Sequence, residues 1–170
     1  VRQILDGVPE GLQIGGVGDL SPDGKLIVAA TISGELIGWA MQSDGRWKRT
    51  FVSSVGTALI ENMKLADDRH VFAVDDDNRA FLADVSGADA VVSREFEGVT
   101  SMPLVAAVAR GKDLYAAGLD GGETLLWSSG STAPVATITG EGSVAGVAFS
   151  PDAKRLAVVG QSGHLRIYDI

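Results

Sequence analysis

The feature that most constrains this chain is an internal repeat. Ser21-Pro22-Asp23-Gly24-Lys25 leads into Leu26-Ile27-Val28-Ala29-Ala30, then Ser33-Gly34-Glu35, then Leu36-Ile37-Gly38-Trp39. Ser150-Pro151-Asp152-Ala153-Lys154 leads in the same way into Arg155-Leu156-Ala157-Val158-Val159, Ser162-Gly163-His164 and Leu165-Arg166-Ile167-Tyr168-Asp169. The offset is 129 residues throughout, three periods of 43. Two weaker copies fill the interval, one running from Ala66 to Asp84 and one from Arg110 to Trp127. The strand-end positions Trp39, Ala83, Trp127 and Tyr168 are spaced 44, 44 and 41. Units of this length bury an apolar face only against a neighbouring unit, so the chain must stack its repeats.

Each repeat has one grammar. A short apolar run comes first: Val17 to Leu20, Ala58 to Leu65, Leu104 to Ala109, or Val144 to Phe149. A polar turn follows, then a Val/Ala/Leu run, a Gly/Asp/Asn turn and an alternating strand. In Ser-Pro-Asp-Gly, Pro presets φ while Asp and Gly tolerate the bend. Linking strands are expected at Arg2 to Leu5, Lys48 to Val52, Val91 to Phe96 and Val135 to Thr139. Runs of five or six residues between such turns indicate strands, and no segment carries a helical 3.6-residue stripe. The expectation is an all-β chain of four four-stranded antiparallel sheets, one per repeat, over residues 1–47, 48–90, 91–134 and 135–170.

Composition removes several functions. Cys is absent, so disulfides, thiolate metal sites and cysteine nucleophiles are excluded. A formal charge of -8 argues against non-specific nucleic-acid binding, which needs a basic surface to neutralise phosphates. No apolar run reaches the roughly 20 residues that span a bilayer. Val1-Arg2-Gln3 shows neither an initiator Met nor a signal-peptide pattern, so the expected compartment is the cytoplasm and the chain reads as processed or as a piece of something longer.

Val144-Ala145-Gly146-Val147-Ala148-Phe149-Ser150-Pro151-Asp152, followed by Gly163-His164-Leu165-Arg166-Ile167-Tyr168-Asp169, resembles a WD repeat of the β-propeller family. The first repeat resembles it through Ser21-Pro22-Asp23-Gly24 and Trp39. The resemblance implies that each period is one blade, with the outer strand of one blade preceding three inner strands of the next. It departs from the family at the Trp-Asp end, which reads Trp39-Ala40, Ala83-Asp84, Trp127-Ser128 and Tyr168-Asp169, and no repeat opens on Gly-His. The repeats are similar to degenerate bacterial-type ones, and the family's buried His-Ser/Thr-Asp-Trp network is incomplete. Family propellers close with about seven or eight blades, so four imply a half-propeller. Further residues, a second copy or another subunit would complete it.

Candidate chemistry is sparse. Asp75-Asp76-Asp77-Asn78 lacks the alternating ligands, central Gly and terminal Glu of a calcium loop, and reads as a turn. Gly160-Gln161-Ser162-Gly163-His164 lacks the final Gly and the following helix of a nucleophile elbow. Gly15-Gly16-Val17-Gly18 has no helix after it and reads as an inner strand, not a dinucleotide fingerprint. Arg46-Trp47-Lys48-Arg49 mixes base and aromatic at a blade's outer edge, where charge discourages further sheet pairing. No catalytic residue, metal ligand or cofactor site is expected.

Mapped on the repeat, Asp6, Glu10, Glu35, Asp75, Asp76, Asp77, Glu97, Asp120, Glu123 and Glu141 fall on one loop face, with little base besides Arg79. Lys25, Arg46, Lys48, Arg49, Arg69, Arg110, Lys112, Lys154 and Arg155 fall on the other. The expected function is a non-catalytic protein–protein interaction scaffold. Glu35, Asp76, Asp77, Asp120 and Glu141 would receive a basic protein partner. The alternative is an enzyme or a ligand- or metal-binding propeller using the central channel, where Asp19, Glu61, Asn62 and Lys64 are the polar inner-strand residues.

Overall fold

The structure, a computed structural model, describes residues 3–5 and 7–170. No residue among them is helical. The first sheet comprises β1 (Ile14–Leu20), β2 (Leu26–Thr31), β3 (Glu35–Met41) and β4 (Trp47–Ser54). The second holds β5 (Ile60–Leu65), β6 (His70–Asp75), β7 (Arg79–Asp84) and β8 (Val91–Phe96). The third holds β9 (Pro103–Ala109), β10 (Leu114–Leu119), β11 (Glu123–Ser128) and β12 (Ala136–Thr139). The fourth holds β13 (Val144–Phe149), β14 (Arg155–Gly160) and β15 (Leu165–Asp169). Every sheet is an antiparallel meander in chain order. Inner strands β1, β5, β9 and β13 follow one another around an axis, each packing on the next.

Local chemistry explains the repeated turns. Ser21 Oγ donates to Asp23 Oδ1 at 2.6 Å, Lys25 N donates to the same oxygen at 2.9 Å, and Leu26 N donates to Ser21 Oγ at 2.9 Å. Ser150, Asp152, Lys154 and Arg155 repeat that network at 2.6, 3.1 and 3.0 Å. Ser and Asp side chains thus satisfy turn amides that no strand reaches. The second turn of each blade needs a left-handed residue, and Gly34, Asn78, Gly122 and Gly163 supply it with φ of 87, 60, 90 and 85°. That row shows why Asp75-Asp76-Asp77-Asn78 is a turn: Asn is the non-glycine residue that best tolerates positive φ.

Because a strand alternates its faces, each blade has a forward face toward the next blade and a backward face toward the previous one. Forward residues Val28, Ala30, Leu36 and Phe51 of blade 1 meet Val71, Ala73, Phe81 and Ala83 of blade 2. Gly38 has no Cβ there because Phe51 occupies the space; a methyl group on its Cα would lie 2.1 Å from the ring. Phe72 and Phe96 of blade 2 cluster with Tyr115 and Trp127 of blade 3 at ring-centroid separations of 5.2 to 6.1 Å. Ala107, Ala116 and Leu126 of blade 3 receive Leu156, Val158 and Phe149 of blade 4. The strand-end row Trp39, Ala83, Trp127 and Tyr168 pairs with Ile27, Val71, Tyr115 and Leu156, so it lies on the backward faces.

Two expectations need correction. Among the described residues the fourth sheet has three strands, not four. Of the linking strand expected at Arg2 to Leu5, Arg2 lies outside the described residues and Gln3 to Leu5 form no strand. The N-terminal segment is used elsewhere. Trp47 N donates to Gln3 Oε1 at 3.1 Å, Gln3 Nε2 donates to Trp47 O at 3.4 Å, and Arg49 Nη1 donates to Gly7 O. Leu5, Val8 and Leu12 then cover Ile37 and Trp39, leaving Trp39 2% exposed. Removing the apolar surface of this backward face of blade 1 from water favours the lid.

Candidate functional site

Antiparallel meanders put the β2–β3, β6–β7, β10–β11 and β14–β15 turns on one end of the molecule, beside the loops that enter each inner strand. This end carries the sequence-predicted acids, except that Asp6 lies outside the described residues. Its loops are stitched together by backbone bonds: Val55 N to Gly34 O, Asp76 N to Leu59 O, Asp120 N to Met102 O and Gln161 N to Ser143 O. The surface is therefore held in place by the scaffold itself.

The five singled-out acids divide into two groups. Glu35 is half-buried and accepts from Thr31 Oγ1 and from Ser33 Oγ, the latter at 2.9 Å. The Thr31 hydrogen bond, outweighing the cost of burial, holds its carboxyl below the ordinary glutamate range. Asp120 accepts from Ser143 Oγ at 2.5 Å across the blade 3–blade 4 boundary. Asp76, Asp77 and Glu141 are exposed. The structure brings Asp76 and Asp77 together on one turn, and places Glu141 two blades away. Glu97 turns to the rim, where it accepts from Thr132 Oγ1 at 3.0 Å. Exposed Ile32 and Met102 add apolar surface to the same end.

Beneath the acids sits Arg79, which sequence reasoning treated as a stray base. Its guanidinium donates to Asp75 Oδ2 at 3.3 Å, to Glu95 Oε1 at 2.6 Å and to Val55 O at 3.4 Å, and stands 4.9 Å from the Phe81 ring centre. Asp75 is 1% exposed, and burial pushes its carboxyl above the ordinary aspartate range despite Arg79. Thr31–Glu35 and Asp75–Arg79 occupy equivalent positions in successive blades, four residues apart across the same turn. That shared spacing was the available signal that Arg79 anchors this turn.

At the opposite end of the axis, Asp19 and Arg110 form a clamp between blades 1 and 3. Arg110 Nη2 donates to Asp19 Oδ2 at 2.9 Å and Nε donates to Leu65 O at 3.1 Å. Asp19 Oδ2 also accepts from Leu65 N at 2.9 Å. The channel candidate Asp19 is thus engaged in joining three blades. Lys64 lines an open cleft of ≈ 290 Å³ with Arg110, Ala107 and Phe149. Ser162 Oγ lies 3.2 Å from His164 Nδ1 on an exposed hairpin turn, not on a strand-to-helix elbow. No cluster of three or more potential metal-ligating side chains occurs among the described residues.

Comparison with known families matches one segment of the chain. Residues 132–169 match the family described as WD domain, G-beta repeat, covering β12 through β15. No curated protein matches the chain.

Proposed function

We propose that this chain, a WD-repeat protein built of propeller blades, is a non-catalytic scaffold whose acidic loop face docks a basic segment of a partner protein. WD repeats generally act as protein-interaction scaffolds. The observation that carries the finer reading is the contrast among the acids. Glu35, Asp75, Glu95 and Asp120 are tied to neighbouring side chains, whereas Asp76, Asp77 and Glu141 are exposed on the same end. Those three project charge into solvent from backbone fixed by inter-loop bonds, which steers and orients a cationic guest at little ordering cost. Ile32 and Met102 supply apolar contacts that charge alone lacks.

The test is anisotropy titration of a fluorescent Lys/Arg-rich peptide carrying two leucines. Wild-type chain binds it with an affinity that weakens as salt rises. The triple variant Asp76→Asn, Asp77→Asn, Glu141→Gln loses about tenfold, near 1.4 kcal/mol. A scrambled acidic peptide does not bind. Equal affinity in the wild type and the triple variant removes the acidic face as the docking surface.

A further inference from the structure

Two equivalent positions face each other across every boundary between blades. On the forward side stand Leu36, Ala80 and Thr124, which pair with Ala30, Val74 and Gly118 in successive blades. On the backward side stand Ile37, Phe81, Leu125 and Arg166, which pair with Ala29, Ala73, Ala117 and Val158. At the first boundary Leu36 shares a buried cluster with Phe81, and at the second Ala80 shares one with Leu125. At the third boundary both members are polar. Thr124 of blade 3 and Arg166 of blade 4 line one cleft. Thr124 is fully buried, and its Oγ1 has no hydrogen-bond partner, a costly state for a hydroxyl removed from water. Among the described residues Arg166 makes no ion pair or hydrogen bond.

We propose that this cleft between blades 3 and 4 binds a carboxylate, with Thr124 and Arg166 as its two donors. A carboxylate accepts through both oxygens and needs no acceptor in return, which suits a hydroxyl and a guanidinium that are both unpaired. Water would pair with the hydroxyl, but the guanidinium in the same cleft favours an anion. Glycine lets the backbone approach that guanidinium: a Cβ on Gly140 would lie 3.6 Å from Arg166 Nη1 and 3.1 Å from Gly122 O. The free core of the cleft is ≈ 20 Å³, little more than one water needs, so it admits the end of one small acid and excludes a sugar or a base. Ser162 Oγ and His164 Nδ1, 3.2 Å apart, add polar groups to the lining. Glu141 lines the cleft too, and its charge keeps the affinity modest.

The probe is acetate, added to the 170-residue chain in place of chloride so that ionic strength stays fixed. Tm rises saturably, by about 3–5 °C at ten times Kd. Thr124→Val raises Tm of the acetate-free chain, because an unpaired hydroxyl is gone, yet abolishes the response to acetate. Arg166→Leu restores the apolar residue of the other blades and weakens acetate at least about tenfold, whereas Arg166→Lys keeps part of the response. Glu141→Gln tightens acetate about twofold. A glutamyl tripeptide blocked at both ends replaces acetate in a second series. Tighter binding than acetate assigns the carboxylate to a partner's side chain, and weaker binding assigns it to a free small acid; either supports the site. No saturable rise by about 0.1 M acetate overturns the proposal. So does a response that either Thr124→Val or Arg166→Leu retains undiminished. Weaker acetate binding in Glu141→Gln contradicts an anion site and overturns it as well.

Discussion

Replacing Asp19 with Ala should destabilise the chain far more than its place on a half-exposed inner strand suggests. Its carboxylate meets Arg110 at 2.9 Å with the two side chains 20% and 44% exposed, a setting in which an ion pair contributes about 0.5–1 kcal/mol. The same oxygen accepts from Leu65 N, and Leu65 is fully buried. Orphaning that amide costs about 1–3 kcal/mol. The sum is about 1.5–4 kcal/mol, which at an m-value of about 2 kcal/mol/M moves the urea midpoint down by roughly 0.8–2 M. Arg110→Ala removes the ion pair and one hydrogen bond to Leu65 O, and costs about 1–2 kcal/mol. Urea titrations followed by tryptophan fluorescence on the wild type, both single variants and the double variant close a thermodynamic cycle. A coupling of about 0.5–1 kcal/mol is expected. The reasoning is refuted if Asp19→Ala costs less than Arg110→Ala, or if the two changes add without coupling.

Three other outcomes are expected. Ala153 sits at φ 59° where the first blade has Gly24 at 72°, so Ala153→Gly should stabilise by about 0.5–1 kcal/mol in urea unfolding in spite of glycine's entropy cost; a lower midpoint refutes the strain argument. Thr124 Oγ1 is buried without a hydrogen-bond partner, and the isosteric Thr124→Val should stabilise by about 1 kcal/mol in thermal unfolding; destabilisation would show that the hydroxyl is satisfied. Stability should fall in acid. Hydrogen bonds from Ser21, Thr31, Ser86 and Ser150 hold Asp23, Glu35, Asp84 and Asp152 below their ordinary range, and at Asp67 burial is outweighed by the His70 ring and turn amides. Each of these groups stabilises the fold above its unfolded pKa, and that contribution is lost as pH falls through the lower folded value. Asp75, raised by burial, acts in the opposite sense and gains on protonation, but it is one group against five. The urea midpoint should therefore drop between about pH 5 and pH 2, and a flat or rising midpoint contradicts the assignment.

What could be read from the residues alone was local and periodic. The Ser-Pro-Asp turns carry their own hydrogen-bond partners, and the left-handed turn position is marked by Gly34, Asn78, Gly122 and Gly163, so strand boundaries followed from nearest-neighbour chemistry. The row Trp39, Ala83, Trp127 and Tyr168 was legible as one structural position because a 44-residue period preserves register. The acids Asp76, Asp77 and Glu141 were placed on one end by turn order, which antiparallel connection dictates.

What only the tertiary structure decided involves residues far apart in the chain. Asp19 and Arg110, 91 positions apart, meet because successive inner strands curve about a shared axis, which no local spacing encodes. Arg79 became an anchor once Asp75 was buried beside it. The segment after Gln3 carries apolar residues that suit either an edge strand or a lid. The structure uses it as a lid: Leu5, Val8 and Leu12 pack on Ile37 and Trp39, and the apolar burial outweighs the few hydrogen bonds a short edge strand would make. Periodicity therefore determined the blades, while the burial of Ile37 and Trp39 decided how the N-terminal segment is used.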